Sequence, residues 1–231
     1  SVITRVWTAT DENSNATTYT QTITVVDTTA PTFTTSPANV TVECSASTLP
    51  ADTNGPAVAT DNCDTSVTIT SADTTVAGTG NNSVITRVWT ATDDNSNATT
   101  YTQTITVVDT TAPTFTNSPA SLTVECSAST DTSDTGIATA TDNCDTSVTI
   151  TSADTTVAGT GNNSVITRVW TATDDNSNAT TYTQTITVVD TTAPVANVTT
   201  LSDLTAECSV AAPTAPTATD NCAGTITGTT T

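Results

Sequence analysis

The sequence predicts an all-β protein made of tandem antiparallel β-sandwich repeats of about 81 residues, and three observations predict it. First, the segment SVITRVWTAT begins at Ser1, again at Ser83 and again at Ser164, while Cys44, Cys126 and Cys208 keep the same beat. A chain copied at a fixed period is a string of equivalent structural units. Second, Thr is the commonest residue, with Ala, Val, Asp, Ser and Asn behind it. Thr and Val favour strands, whereas Asp, Asn, Ser and Gly favour the turns between them. Third, apolar residues alternate with Thr, and no helical period is present.

The elements follow in a fixed order. VVDTTAP at Val25, Val107 and Val188 ends a strand-like run and turns the chain, because Pro holds itself and its predecessor extended. The boundaries predicted are residues 1–27, the tail of one repeat; 28–109 and 110–190, two complete repeats; and 191–231, the front of another. In the first complete repeat, short extended pieces are expected at 32–34, 39–44, 57–60 and 67–71. Two long strands follow at 83–92 and 99–108, joined by the hairpin loop Asp93 to Asn97. Alternation puts Ile85, Trp89 and Ala91 on one face, and Tyr101, Ile105 and Val107 on the matching face of the next strand. The opposite faces are mostly Thr, as in a half-buried sheet.

Composition excludes several function classes. There are 23 acidic and three basic residues, a formal charge of −20, with no His and no Met. The three basic residues are one repeated position: Arg5, Arg87 and Arg168. Such a chain cannot neutralise phosphates, which excludes nucleic acid and anionic membrane surfaces as partners. No apolar run approaches the ~20 residues needed to span a bilayer, so membrane insertion is not expected. Without His there is no ordinary catalytic triad and no His-type zinc site. One Glu stands before each first cysteine (Glu43, Glu125, Glu207), but single carboxylates in identical surroundings do not make a glycosidase pair. No convergent catalytic set is visible, and no enzyme is predicted.

Six cysteines fall as three close pairs, Cys44/Cys63, Cys126/Cys144 and Cys208/Cys222. Each repeat owns two, so each is expected to close its own loop, in an oxidising compartment. A loop of ~19 residues contributes roughly 3 kcal/mol by the chain-entropy estimate.

Four ordered motifs carry a resemblance. They are TVEC at Thr41–Cys44, DNC at Asp61–Cys63, TRVWTATD at Thr86–Asp93 and YTQTITVVDTTAP at Tyr101–Pro113. Together they resemble hyalin-repeat-like (HYR-like) modules of immunoglobulin type. The resemblance implies an immunoglobulin-like sandwich in the shaft of a giant secreted bacterial surface adhesin, exported by the type 9 secretion system. It extends to the fibre proteins of bacterial grappling hooks. Many relatives carry a second cysteine pair in the long hairpin, where this chain has Asn95 and Tyr101, and Asn176 and Tyr182.

Candidate sites follow from the repeat. The loop Asp93, Asn95, Asn97, with Asp174, Asn176, Asn178 as its copy, places oxygen ligands at positions one, three and five of a calcium loop. Ala98 stands where that loop needs Gly and no Glu closes it, so an Asx-rich turn is the competing reading. Asp109 and Asp190 end their repeats just before a linker, where calcium between domains would stiffen the hinge. No cofactor is required, and calcium is the one ion the pattern admits. Arg87 shares a face with Trp89 and Ile85 and therefore needs a partner, either the indole or a carboxylate. Gln103 is expected in a cross-strand hydrogen bond, with a Thr–Gln ester cross-link as the chemical alternative. Asp-Thr-Thr is similar to an O-glycosylation acceptor pattern and marks Thr74, Thr110, Thr155 and Thr191.

The functional expectation is a structural shaft at the cell surface that extends an adhesive tip of unknown target. Copies are expected to associate with one another, laterally or by strand exchange. The competing expectation is a multivalent array of carbohydrate- or protein-binding modules, in which repetition supplies avidity.

Overall fold

The computed structural model describes residues 1–229, and its chain divides into two compact units, Ser1–Asp109 and Thr110–Thr231. In the first unit, β1 (Val2–Thr10) and β2 (Ala16–Thr24) form a hairpin. Then come β3 (Thr32–Thr35), β4 (Val40–Glu43), β5 (Val58–Thr60), β6 (Thr68–Ala77), β7 (Ser83–Thr92) and β8 (Ala98–Val108). A four-stranded sheet in the order β4-β8-β7-β6 makes one layer, and the β3–β5 pair makes the other. The two layers meet where Phe33 on β3 tilts against Tyr101 on β8, ring centroids 6.1 Å apart.

The alternation read from the sequence is the burial pattern of β7 and β8. Ile85, Trp89 and Ala91 are buried, as are Ile105 and Val107. Ile85, Ile105 and Val107 form the apolar centre, with Val40, Val42 and Cys44 packed against it. Burying one such side chain contributes about 1.5–3 kcal/mol. Two polar residues share the same inward face, Arg87 and Gln103, both essentially sealed from solvent. The short strands fall where they are expected, but β6 runs twice as far as its apolar start suggests. It pairs with β7 along its whole length, from Thr68↔Thr92 to Ala77↔Ser83.

One edge departs from an all-antiparallel sheet. β4 pairs parallel with β8, from Val40↔Ile105 to Glu43↔Val108. The chain leaves the small sheet at the buried Pro37, which cannot donate to a ladder, and re-enters on the far edge of the large one. This crossing brings Cys44 to the end of β8, where its N–H donates to the carbonyl of Val108 (2.8 Å).

The second unit repeats the plan with β9 (Thr114–Asn117), β10 (Leu122–Glu125), β11 (Thr139–Thr141), β12 (Thr149–Ala158), β13 (Ser164–Thr173) and β14 (Ala179–Val189). Its large sheet runs β10-β14-β13-β12 and its small sheet pairs β11 with β9. A single helical turn, α1 (Thr132–Thr135), stands between β10 and β11. It ends at Gly136, whose φ of 101° disfavours any side chain and where an added Cβ would come within 3.0 Å of the Pro119 side chain. The segment expected to begin a further repeat forms a three-stranded sheet of β15 (Val195–Ala196), β16 (Thr217–Asp220) and β17 (Gly224–Thr227).

The hairpin β1–β2 has nearly the sequence of β7–β8 and adopts the same register, Trp7↔Tyr19 matching Trp89↔Tyr101. Yet Trp7 is 56% exposed and Trp89 only 3%. Local sequence therefore makes the hairpin, and the preceding strands of the repeat make the core.

Candidate functional site: the repeat junctions

The inward polar face is a closed network. Arg87 Nε donates to Asp73 Oδ1 (2.8 Å) and Nη2 to Asp73 Oδ2 (2.8 Å), a two-pronged pair across β6 and β7. Arg87 Nη1 donates to the Thr53 hydroxyl (2.9 Å) and Nη2 also to the Thr48 carbonyl (2.6 Å). Its guanidinium lies 5.9 Å from the Trp89 ring centroid. Both partners foreseen for this arginine are thus present at once. Arg168 repeats the set with Asp154, Thr135, Thr130 and Trp170. Hydrogen bonding from the arginine holds the Asp73 and Asp154 carboxyls below their ordinary value, and Asp154 in turn holds Arg168 above its own.

Gln103 uses its whole amide. Nε2 donates to the carbonyls of Ala38 (2.9 Å) and Thr53 (2.8 Å), and Oε1 accepts from the Trp89 indole (3.4 Å). The bond to Trp89 is the cross-strand bond expected, and the two carbonyl bonds also tie the sheet to the segments on either side of β4. The Tyr101 hydroxyl does the same at the Pro37 carbonyl (2.9 Å). Tyr packing and these ties secure the hairpin that lacks the second cysteine pair.

The cysteine pairing expected from sequence is overturned. Cys126 is bonded to Cys222, 96 residues on, and not to Cys144; Cys63 and Cys208 are free thiols. The cause is where β4 and β5 end. Cys44 sits at the Val108 end of β8, whereas Cys63 sits beside Asp27, Asp61 and Asp93, at the hairpin-loop end. The 11 residues of β8 separate the two by roughly 35 Å. In the second unit Cys126 likewise lies at the Val189 end of β14, where its N–H donates to the Val189 carbonyl (2.8 Å). The residue it meets there belongs to the turn after β16, in the segment predicted to begin the next repeat. The disulfide therefore joins the two sides of the boundary predicted at 190/191 and does not close the short loop expected within one repeat.

Glu125 holds the same boundary. Its carboxylate accepts from Thr191 N–H (3.0 Å), the Thr191 hydroxyl (2.8 Å), the Thr192 hydroxyl (3.1 Å) and Asn221 Nδ2 (3.4 Å). Bonding from the Thr191 backbone and hydroxyl keeps this carboxyl below its ordinary value. Glu125 is a clamp on the linker, a role that its sequence position alone did not suggest.

The proposed calcium-loop residues are placed as a self-contained turn. Asp93 Oδ1 accepts from the N–H groups of Asn95 (2.9 Å) and Asn97 (2.8 Å), and Oδ2 from Asn97 Nδ2 (2.8 Å). Burial pushes the Asp93 carboxyl up, and these three bonds outweigh it, so it stays below its ordinary value. Asp174 repeats the pattern with Asn176 and Asn178. At the strand ends, the N–H groups of Asp109 and Asp190 donate to Asn82 and Asn163 side chains, both 2.9 Å. Asp190 Oδ1 accepts from Thr192 N–H (3.2 Å). Thr74, Thr110, Thr155 and Thr191 are all exposed, Thr74 and Thr155 on the free edges β6 and β12.

Sequence reasoning passed over Asp27. The distance of Asp61 and Asp142 from a junction is likewise not readable from the chain. Ligand atoms of Asp27, Asp61 and Cys63 lie within 4.8 Å of one another, as do those of Asp142 and Asp174, and of Glu125, Cys126, Asp190 and Cys222. Burial pushes the Cys63 thiol up, and the negative charges of Asp27, Asp61 and Asp93 add to it. The signal that could have found these acids is the DNC turn itself, which recurs at Asp61, Asp142 and Asp220.

Residues 32–107 match the family described as "HYR-like domain with 4 cysteines". That span contains two cysteines, Cys44 and Cys63. No curated protein matches the chain. Among solved structures, protocadherin gammaB7 EC3-6 (a cis-dimer structure) aligns over 96% of this chain and 69% of its own, at 15% identity and a TM-score of 0.36. Human CDH23 EC21-23 aligns over 85% and 81%, at 14% identity and 0.36. Drosophila N-cadherin EC1-4 aligns over 85% and 61%, at 18% identity and 0.31. These likenesses are too slight to carry any argument about function.

Proposed function

We propose that this chain is part of the repeat shaft of a secreted cell-surface fibre or adhesin, which holds an adhesive tip away from the cell. The observation that carries this reading is the Cys126–Cys222 disulfide between the end of β10 and the turn after β16. Tension applied across the linker at 190–194 meets a covalent bypass beside it, reinforced by the Glu125 clamp. A module built only to bind needs no such coupling to its neighbour.

The HYR-like match at 32–107 supports an extracellular, adhesion-type repeat. Disulfides support an oxidising compartment. Export by type 9 secretion, and service in attachment, gliding or prey capture, extend this reading. Lateral association of copies into a multi-chain filament is supported by the free edges β6 and β12, which expose Val76 and Val157. The alternative of a carbohydrate-binding array is less favoured, because Trp89 and Trp170, the indoles of the two complete repeats, are buried.

Gold-labelled antibody against the folded 110–190 repeat, applied to cells that make the protein, tests the proposal. Labelling along extracellular filaments is expected. Label confined to the cell interior would overturn it, and filaments one repeat wide would overturn the multi-chain version.

A further inference from the structure

At the linker end of the first complete repeat, the carboxylates of Asp27, in the linker, and Asp61, in the turn after β5, come together, and the β7–β8 loop that carries Asp93 is bonded to the same segment. Asp27 and Asp61 lie within 4.8 Å of each other. Asn97 Nδ2 donates to the Asp27 carbonyl (3.3 Å) and draws the loop of Asp93 onto the same place. Each of the first two acids has one occupied oxygen. Asp27 Oδ1 accepts from Thr29 N–H (3.1 Å), and Asp61 Oδ1 accepts from the N–H groups of Cys63 (2.8 Å) and Asp64 (3.1 Å). Each also has an oxygen, Oδ2, that is buried and accepts nothing.

Two half-buried carboxylates whose ligand atoms approach within 4.8 Å, each with one sealed oxygen that no donor reaches, are costly unless a positive group lies nearby. The chain supplies no such group, having no Lys and no His. Arg87 and Arg168 are committed to Asp73 and Asp154, and Arg5 lies over Trp7 on β1. The second repeat carries the same orphan. Asp142 Oδ2 is buried and unpartnered, with Asp174 within 4.8 Å. The feature belongs to the repeat and not to one accident of packing.

We propose that Asp27, Asp61 and Asp93 hold a divalent cation at the linker, and that the cation is Ca2+. Hard carboxylate oxygens from three segments suit an ion that takes six to eight oxygen ligands in flexible geometry. Mg2+, which demands a tight octahedron and keeps its waters, suits such a set less well. The ion cross-links the linker, a turn and a hairpin loop, so it orders the junction at the hairpin-loop end of the repeat. This site stands independently of the shaft reading.

The test is calorimetric titration of the full chain with CaCl2, and separately with MgCl2. Asp61→Asn keeps the Oδ1 that organises the turn and removes the orphan charge; Asp203→Asn, an exposed acid, is the control. Ca2+ binding is expected, with one equivalent fewer in Asp61→Asn and no change in Asp203→Asn. An unchanged count in Asp61→Asn overturns the site. So does no Ca2+ binding up to millimolar concentration. Equal affinity for Mg2+ overturns the choice of ion. Should Asp61→Asn unfold, Asp27→Asn reads the same equivalent.

Discussion

Asp73 stands directly opposite Arg87 in the antiparallel register of β6 and β7, and the two side chains meet by both prongs at 2.8 Å. Arg87 also serves Thr53 and Thr48 in the segment between β4 and β5, so one buried cation joins three segments. Arg87→Ala removes the donor shared by Asp73, Thr53 and Thr48 and opens a cavity on the buried face, and is expected to destabilise the first complete repeat by about 2–4 kcal/mol. Arg5→Ala, in the exposed hairpin, is expected within about 0.5 kcal/mol of the parent. Urea denaturation of the two variants checks the contrast, and equal midpoints would refute it.

The same pair sets an acid limit. Asp73 and Asp154 have folded-state values below the ordinary 3.8. A depressed carboxyl contributes stability that is present above the unfolded value and lost as pH falls through the folded one. Melting temperature is therefore expected to hold from about pH 8 to pH 5 and to fall below about pH 4. Both aspartates are 39% exposed at the side chain, so solvent screening keeps each contribution to about 1 kcal/mol. The Asp73→Asn/Asp154→Asn double variant is expected to melt lower at neutral pH and to lose less on acidification. A parallel acid profile would count against the pair as its source.

Strand order and facing were legible because a period of two survives in any register: Ile85, Trp89, Ala91 and Ile105 announce themselves. What Arg87 would touch was not. Asp73 stood out only as part of an Asp-Thr-Thr pattern, since the β6–β7 register that brings it to Arg87 is a tertiary fact. The cysteines misled for a related reason. Nearness in sequence suggested Cys126–Cys144, but the intervening strands carry the two to opposite ends of the repeat. The DNC acids were visible, yet only the folded chain reveals that Asp61 meets Asp27.

Gln103 and Gln21 offer a paired experiment, because each accepts from its own Trp at 3.4 Å. Gln103 is fully buried and Gln21 is exposed. Gln103→Ala strands two carbonyls and opens a cavity, and is expected to cost about 2–4 kcal/mol. Gln21→Ala is expected to change the unfolding midpoint hardly at all. Equal effects would place the hydrogen bond itself, and not burial, at the root of stability.

Glu125 reaches past the end of β10 to hold Thr191 and Thr192. Glu125→Ala is expected to speed amide exchange at Thr191 while leaving the β14 core amides, such as Ile186, protected. In the parent chain the clamp persists above the ordinary glutamate range and loosens as acid protonates the carboxyl, because its folded value is the lower one. Thr191 exchange that ignores both the substitution and acid would mean that the linker is held by other contacts.

The disulfide makes the sharpest claim on the whole chain. Alkylation without reduction is expected to label Cys63 and Cys208 and to spare Cys126 and Cys222, whose peptides should then migrate as one linked species. Bridging 96 residues removes entropy from the unfolded chain worth roughly 4–5 kcal/mol on the loop-closure estimate. Cys126→Ser and Cys222→Ser should therefore each lower the melting temperature, and the double variant should fall no further than either alone, because both delete the same bond. Cys63→Ser, at a free thiol, should leave that transition where it is. A linked Cys126–Cys144 peptide would instead return each repeat to a self-closed unit, and the covalent path from one repeat to the next would be gone.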